Sequence, residues 1–178
     1  VKAHTREFLT ILFLKFSYPA GGRALLKALS QPPTGTPLLK SAKTHLQEVK
    51  AFKASGTKGT PYVSVGLTGD GYAALQIPAP KIPPDASFRS GMKNAGLNDP
   101  APGTWEPHFR DVIHAVILVG DQMSGPRNKA LTAVRHLIQA CHGVHILGEE
   151  KGHGLHNSNG DGIEHFGYVD GRSQPLFL

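Results

Sequence analysis

Two stretches of large apolar residues predict the central strands of a β-sheet. Residues 5–16 are apolar at nearly every position, a run too short for a buried helix but dense enough for a strand covered on both faces. Residues 112–119 are rich in β-branched residues and are also apolar on both faces. Further strands are predicted at residues 62–67, where apolar and polar residues alternate, and at residues 144–147.

Apolar residues at helical spacing predict that helices join these strands. Leucines at this spacing indicate a first helix over residues 23–29, after the glycine pair at positions 21–22 breaks the chain. A lysine-rich amphipathic helix is predicted over residues 38–54. Another helix begins at Ser124, carries one apolar stripe and ends before Gly143.

The predicted elements follow one another in the order β-α-β-α-β-α-β. The middle helical region, which begins at the N-cap residue Thr68, is interpreted as an insertion between paired strands. Without this insertion the order is βαββαβ, that of a ferredoxin-like sandwich. We therefore expect an α+β fold with an antiparallel sheet and helices on one face. We expect it to form a single domain over residues 1–178.

Composition and charge narrow the classes of partner. Apolar residues make up 39% of the chain, and no apolar run approaches the roughly 20 residues of a membrane helix, so no membrane contact is expected. The net charge is +6, but lysines and arginines are dispersed along the chain, which argues against nucleic-acid binding. An acidic partner subunit or an anionic ligand fits this charge equally well.

The single cysteine, Cys141, bears on both compartment and chemistry. It excludes an internal disulfide and fits a reducing compartment, so we expect a cytoplasmic protein. Because the sequence opens on Val1, an exported form with a processed N-terminus is the alternative. Cys141 lies on an apolar helix stripe and is expected to be an inert core residue; the alternative is a nucleophilic pair with His142 or His145.

A segment near the C-terminus concentrates polar side chains and glycines. Residues 165–175 read H-F-G-x-x-D-G-x-S-Q-P, which places the Asp170 carboxylate on a loop that a proline stiffens. An aspartate beside glycine is most often only a turn residue. Here Gly167 lets a flat ligand approach the backbone closely, and Ser173 and Gln174 add polar groups. These residues make Asp170 the first candidate for acid–base chemistry.

A metal site is a competing interpretation of the same region. The two residues between His153 and His156 give a spacing that suits metal ligands on a loop, but no further ligand has a characteristic spacing. A partial calcium loop at residues 157–162 lacks its bidentate glutamate, because Tyr168 occupies that position. The potential metal ligands are His153, His156, Asp161 and His165.

Three other side chains are expected to have structural roles. His114 lies in a predicted strand and is interpreted as a hydrogen-bonded core histidine. Trp105 and Tyr168 are expected to pack in the interior, although either ring could relay electrons to bulky substrates at the surface.

The segment 165–175 resembles the distal haem loop of the dye-decolorising peroxidases. The likeness extends along the chain, because residues 62–75 (YVSVGLTGDGYAAL) are similar to a strand and helix start of that family. Residues 85–96 (DASFRSGMKNAG) are similar to its F-x-x-G-M helix, and Trp105 and the H-A-V sequence at 114–116 follow in the family's order. The family often has arginine where Val169 stands and a branched apolar residue where Arg172 stands, and neither departure removes the carboxylate.

The resemblance implies a haem-dependent peroxidase that reduces hydrogen peroxide and oxidises dyes or other aromatic donors. Asp170 would move a proton from the inner to the outer peroxide oxygen, so that the O–O bond breaks heterolytically. The residues that would contact haem b are Gly167, Asp170, Gly171, Arg172, Ser173 and Gln174.

The resemblance also implies that this chain holds only half of an active site. In the family a second ferredoxin-like domain supplies the proximal histidine ligand and a distal arginine, and that histidine follows the loop. The ten histidines here all precede Asp170, so the iron ligand is expected outside this chain. We therefore expect an inactive isolated chain that acts in a hetero-oligomer, with a second peroxidase subunit or a C-terminal half.

Two origins are possible for a chain that holds half of an active site. A natural small subunit is favoured over a cleavage product, because the sequence stops shortly after the loop, in an apolar tail. That tail, Leu176, Phe177 and Leu178, would pack against the partner. The alternative from another class is a non-catalytic ferredoxin-like domain that binds or scaffolds partners through its basic surface.

Overall fold

The computed structural model describes residues 6–32 and 35–170 of the chain. None of the helices in this part is both long and apolar enough to cross a membrane. Single 3-10 turns lie at Ala79–Lys81, Met92–Asn94 and Pro102–Thr104. The other elements are β1 (Phe8–Phe16), α1 (Pro19–Ser30), α2 (Ala42–Ser55), β2 (Tyr62–Leu67), α3 (Gly69–Ala74), α4 (Ala86–Ser90), α5 (Pro107–Arg110), β3 (Ala115–Asp121), α6 (Ser124–Ala140), β4 (Val144–His153), β5 (Leu155–His156) and β6 (Gly162–Ile163).

The four long strands form one sheet in the order β2-β3-β1-β4. Each pair of neighbouring strands is antiparallel. The helices α1 and α2 connect β1 to β2, and α6 connects β3 to β4, so each helical connection passes over one intervening strand. This is the βαββαβ arrangement of a ferredoxin-like sandwich, which confirms the predicted α+β fold.

Alternation along β1 separates the two faces of the sheet. Its even-numbered residues from Thr10 to Phe16 are buried beneath the helices. On this core face, α1 contributes Leu25 and Leu29 and α6 contributes Val134 and Ile138. Complete burial of such side chains contributes about 1.5–3 kcal/mol each, so this layer dominates the stability of the fold.

The opposite face of the sheet is also apolar but only partly buried. We call it the outer face. The strand register places Ile11 opposite Leu118 and Phe13 opposite Val116. The short helix α5 covers its end near Phe13, where the Phe109 ring packs edge-on at 5.1 Å between ring centroids. The apolar residues that define the outer face are Leu9, Ile11, Phe13, Val116 and Leu118.

The helix α1 extends through the glycine pair that was predicted to break the chain. That prediction is wrong, because both glycines are buried inside the helix. A Cβ at Gly21 would lie 2.0 Å from the carbonyl oxygen of His142, and one at Gly22 would lie 2.6 Å from Leu75 Cδ2. The glycines therefore allow α1 to approach its neighbours more closely than any other residue would.

The third and fourth strands differ from their predicted bounds. The strand β3 begins at Ala115, three residues later than predicted. The two carbonyls before it bond to Thr68: the Ile113 carbonyl accepts from the Thr68 hydroxyl, and the His114 carbonyl accepts from the Thr68 N–H. The strand β4 runs on to His153, which pairs with Phe8. It is an edge strand, so its charged residues can remain exposed to water.

Candidate functional site

The segment of residues 154–170, here called the arm, extends from the end of β4 and carries Asp170. In it, β5 pairs with β6, and an isolated bridge joins Ile163 of β6 to Val169. The Gly154 N–H donates to the Glu7 carbonyl at 2.8 Å, which attaches the arm to the residue before β1. The arm is therefore a small two-stranded unit, extended by one bridge, that follows the edge strand of the main sheet.

The turn between β5 and β6 is organised by Asn157. Its side-chain Oδ1 accepts hydrogen bonds from the N–H groups of Asn159 (3.0 Å) and Asp161 (2.9 Å). Its Nδ2 donates to the Asp161 carboxylate at 3.1 Å. Its main-chain N–H donates to the Asp161 carbonyl, and its carbonyl accepts from the Gly160 N–H, both at 3.0 Å. Asn157 thus closes the turn through both its main chain and its amide.

A second turn directs two aromatic rings outward. The Gly167 N–H donates to the Glu164 carbonyl at 2.8 Å, and the Glu164 N–H donates to the Tyr168 carbonyl at 2.9 Å. Gly167 has a φ of 86°, a left-handed conformation that favours glycine. The side chain of Phe166 is 85% exposed and that of Tyr168 is 74% exposed. The arm therefore presents an apolar aromatic pair to its surroundings.

Asp170 is held by its main chain and leaves its carboxylate available. Its N–H donates to the Gly162 carbonyl at 2.9 Å, next to the bridge formed by Val169. The side chain is exposed, and no residue in the described part of the chain donates a hydrogen bond to its carboxylate. A carboxylate in this state can accept and release a proton without breaking an ion pair.

The structure brings two of the predicted site residues, Gly167 and Asp170, onto one arm. The other four, together with the apolar tail, lie outside the described residues. They are Gly171, Arg172, Ser173 and Gln174, followed in the tail by Leu176, Phe177 and Leu178.

Three of the four candidate metal ligands of this region have other contacts, and the fourth, His165, is exposed. Within residues 6–32 and 35–170, no three His, Cys, Asp or Glu side chains are grouped to hold a metal ion. The ring of His153 stacks on Phe8 with 4.7 Å between centroids, and His156 Nε2 lies 3.7 Å from Glu7 Oε1. Asp161 accepts from Asn157, so its carboxylate helps to close the turn.

Cys141 is partly buried, and burial raises the pKa of its thiol. A raised pKa keeps the sulfur protonated and weakly nucleophilic. In the described part of the chain no hydrogen bond joins the thiol to the neighbouring imidazoles. His142 stacks on Tyr18 with 5.3 Å between ring centroids, and His145 Nε2 lies 3.0 Å from Ser17 Oγ. The geometry favours the inert thiol over the nucleophilic pair.

His114 is hydrogen-bonded within the fold, as predicted. Its Nδ1 accepts from the Phe16 N–H at 2.9 Å, which requires that this nitrogen carry no proton. Burial lowers the pKa of His114, which favours the neutral ring. The imidazole therefore supports the junction between β1 and β3.

Trp105 and Tyr168, both predicted to pack in the interior, differ in how far they are buried. Trp105 is partly buried, and its Nε1 donates to the Pro100 carbonyl at 2.8 Å. For Tyr168 the prediction is wrong, because the ring is exposed and, among the described residues, no second layer lies against the two-residue strands of the arm. The way in which Asn157 closes the turn between β5 and β6 was not predicted from the sequence. The N-S-N-G-D stretch at residues 157–161 could have indicated it, because such a stretch is typical of a turn closed by an asparagine side chain.

Comparison with known proteins gives one consistent group of relatives. No protein-family model matches the sequence. The chain is 52% identical over 180 residues to the multifunctional dye peroxidase DyP2 of an Amycolatopsis species; the match covers 100% of this chain and 36% of the relative. The chain therefore spans little more than a third of the length of that curated protein.

Solved structures give the same grouping. The structure of DyP2 from Amycolatopsis superposes with a TM-score of 0.85 at 51% identity, over 99% of this chain and 36% of that one. A DyP-type peroxidase from Anabaena superposes with a TM-score of 0.82 at 32% identity, over 99% of this chain and 37% of that one.

Proposed function

Because this chain belongs to the dye-decolorising peroxidase family and spans about a third of the DyP2 sequence, we propose that it forms the distal side of a haem peroxidase active site. The complete enzyme reduces hydrogen peroxide and oxidises dyes or other aromatic donors. The observation that carries this proposal is the exposed Asp170 carboxylate, held by its main chain at the end of the arm. The rest of the site is supplied by a second subunit or by a C-terminal half.

The arm fits a flat and largely apolar ligand such as haem b. Phe166 and Tyr168 are strongly exposed on it, and the left-handed turn at Gly167 has no side chain to hinder close approach. Haem b, when bound, supplies the iron centre at which peroxide is reduced. The further contacts that we propose come from Gly171, Arg172, Ser173 and Gln174.

Asp170 supplies acid–base chemistry in this proposal. Peroxide loses a proton from one oxygen and gains one on the departing oxygen, and one carboxylate can carry out both transfers by acting first as base and then as acid. The Asp170 carboxylate is exposed and accepts no hydrogen bond from the described residues, so neither step breaks an existing contact. Its main-chain hydrogen bond to Gly162 fixes where the carboxylate is presented.

The partner supplies the iron ligand and an arginine. Several imidazoles of this chain already have structural contacts: His114 with Phe16, His142 with Tyr18 and His153 with Phe8. All ten histidines also precede Asp170 in the sequence. A histidine ligand and a distal arginine from the partner would complete the haem active site.

The outer face of the sheet and the arm's two rings are the surfaces proposed to meet the partner. The outer face is an apolar stripe along β1 and β3 that the helices of this chain leave partly exposed. An interface that encloses a cofactor is expected to bury on the order of 2,000 Å² or more in total. A second ferredoxin-like half would cover both surfaces and exclude water from the haem.

The test uses the complete haem-loaded enzyme that contains this chain, with Asp170→Asn as the variant. Asparagine keeps the size of the side chain but cannot accept the proton, so the rate constant for reaction with peroxide should fall by roughly two to four orders of magnitude. The matched control is Glu164→Gln, which removes an exposed carboxylate from the same arm and should leave the rate unchanged. Haem content should be equal in all three proteins. A wild-type rate in Asp170→Asn would overturn the assignment.

A further inference from the structure

Hydrogen bonds, rather than an apolar core, hold the arm together. Among residues 154–170 the partly buried side chains are those of Asn157, Asp161, Ile163 and Val169, and the others are exposed. Ile163 and Val169 meet across the isolated bridge. Two aliphatic side chains bury too little apolar surface to stabilise such short strands on their own. The position of Asp170 therefore depends on the polar contacts of the arm.

These contacts form a continuous path from Asn157 to Asp170. Asn157 holds Asp161 at three points, through the Asp161 N–H, its carbonyl and its carboxylate. The next residue, Gly162, pairs with His156 on one side. On its other side the Gly162 carbonyl accepts the N–H of Asp170 at 2.9 Å. A displacement of Asp161 is thus passed directly to the residue that anchors Asp170.

We propose that Asn157 is a positioning residue for the Asp170 carboxylate, an inference that rests on the function proposed above. The amide at this position has two roles in the turn, because its oxygen accepts from two main-chain N–H groups and its nitrogen donates to the Asp161 carboxylate. Alanine supplies neither the acceptor nor the donor. Aspartate supplies the acceptor but sets a second carboxylate against Asp161, and two adjacent carboxylates repel each other.

The experiment compares Asn157→Ala and Asn157→Asp in the complete haem-loaded enzyme. Both should lower the rate constant for reaction with peroxide at least about tenfold, because displacements near 1 Å are enough to disrupt proton transfer. The KM for the aromatic donor and the haem content should not change. The matched control is Asn159→Ala, which removes an exposed amide from the same turn while keeping the N–H that bonds to Asn157; its rate should stay within about twofold of wild type.

Two further measurements separate this role from a general loss of structure. Hydrogen exchange at the amides of Asp161 and Asp170 should accelerate in both Asn157 variants, whatever the haem content, and not in Asn159→Ala. In an Asp170→Asn background, Asn157→Ala should cost no further activity, because a residue that acts through Asp170 has nothing left to position.

Each other outcome overturns the proposal. Wild-type peroxide rates in both Asn157 variants would do so, as would unchanged exchange at Asp161 and Asp170. A full additional loss in the Asp170→Asn background would place the effect of Asn157 elsewhere. A wild-type rate in Asp170→Asn alone would instead overturn the catalytic assignment of Asp170 and, with it, any positioning role of Asn157.

Discussion

Gly21 packs directly on the main chain of His142, so that a methyl group at Gly21 would lie 2.0 Å from the His142 carbonyl oxygen. The partner atom belongs to the backbone of the turn before β4 and cannot rotate away. Nearby, the Ser17 N–H donates to the Gly143 carbonyl at 2.7 Å and fixes the same turn against the end of β1. The first helix and the fourth strand are therefore joined by main-chain contact.

Replacing Gly21 with alanine should destabilise the fold. Alanine is the better helix former by up to about 1 kcal/mol, but the clash with a backbone oxygen should outweigh this and lower the free energy of unfolding by roughly 1–3 kcal/mol. Urea denaturation followed by circular dichroism measures the change. Gly125→Ala is the matched control, because a carbon added at Gly125 in α6 would meet no described atom within 4 Å beyond its chain neighbours and its own helix backbone. A Gly21→Ala protein as stable as wild type would contradict the close packing.

Stability should depend on acid pH through Glu48. Burial raises the pKa of this carboxyl, but hydrogen bonds from Lys40 and Thr60 outweigh burial and lower the pKa from 4.5 to about 2. A carboxyl with a lowered pKa in the folded state stabilises the protein fully above its unfolded pKa. That contribution is lost as pH falls towards the folded value. The stability that Glu48 contributes is therefore lost as the pH falls from 4.5 to about 2.

Glu48→Gln should remove this dependence. The variant should be less stable than wild type by roughly 1–3 kcal/mol near neutral pH, because hydrogen bonds to a charged group are lost beside the buried Lys40 ammonium. The difference should shrink as pH falls through this range, which thermal unfolding at several pH values would show. Glu164→Gln, at an exposed position, should follow the wild-type curve. Parallel curves for Glu48→Gln and wild type would show that the Lys40–Glu48 pair does not cause the acid sensitivity.

The isolated chain should bind haem weakly or not at all. Titration with haemin should produce no sharp shift of the Soret band, because the proposed iron ligand lies outside this chain. The imidazole nearest to Asp170 in sequence is that of His165, so His165→Ala should give the same titration as wild type. A stoichiometric, histidine-ligated spectrum from the isolated chain would disprove the division of the site between two halves.

A lysine on the outer face should impair association with the partner without unfolding the chain. Ile11 is partly exposed and pairs across the sheet with Glu150, so the isolated chain can accommodate Ile11→Lys beside an opposite charge. In the assembled enzyme the same lysine would be buried at an apolar interface, and affinity should fall at least about tenfold. Sedimentation or titration calorimetry with the partner half measures this. Unchanged affinity would exclude the outer face from the interface.

Local signals in the sequence predicted some elements with their observed bounds. The strand Tyr62–Leu67 begins after a proline and ends before Thr68, whose hydroxyl caps the next helix by accepting the Gly71 N–H. The start of α6 at Ser124 was also predicted. These bounds depend on residues within a few positions of each other, so the sequence contains what determines them.

The errors arise where distant residues decide the structure. Glycine usually disfavours a helix, but this position inside α1 requires glycine because the carbonyl of His142, far along the chain, leaves no room for a side chain. Likewise β4 continues past Leu147 because β1 offers it pairing partners as far as Phe8. The exposure of Tyr168 was not predictable from its apolar ring alone, since it depends on how the described elements are arranged around the arm. The cytoplasmic location stays a prediction.

The strand order also has a consequence for the kinetics of folding. The central pair of the sheet joins β1 to β3, where Leu14 lies opposite Ala115, so the ends of a loop of about a hundred residues must meet before the core can close. The edge strands β2 and β4 pair with β3 and β1 respectively, so the four strands become one sheet only when that central pair forms. The turns and short strands of the arm, by contrast, pair through contacts within residues 154–170, and such contacts belong to the fast local events. The turns that present Asp170 are therefore expected to form early, whereas the arm gains its anchor at Glu7 only when the slower sheet has closed.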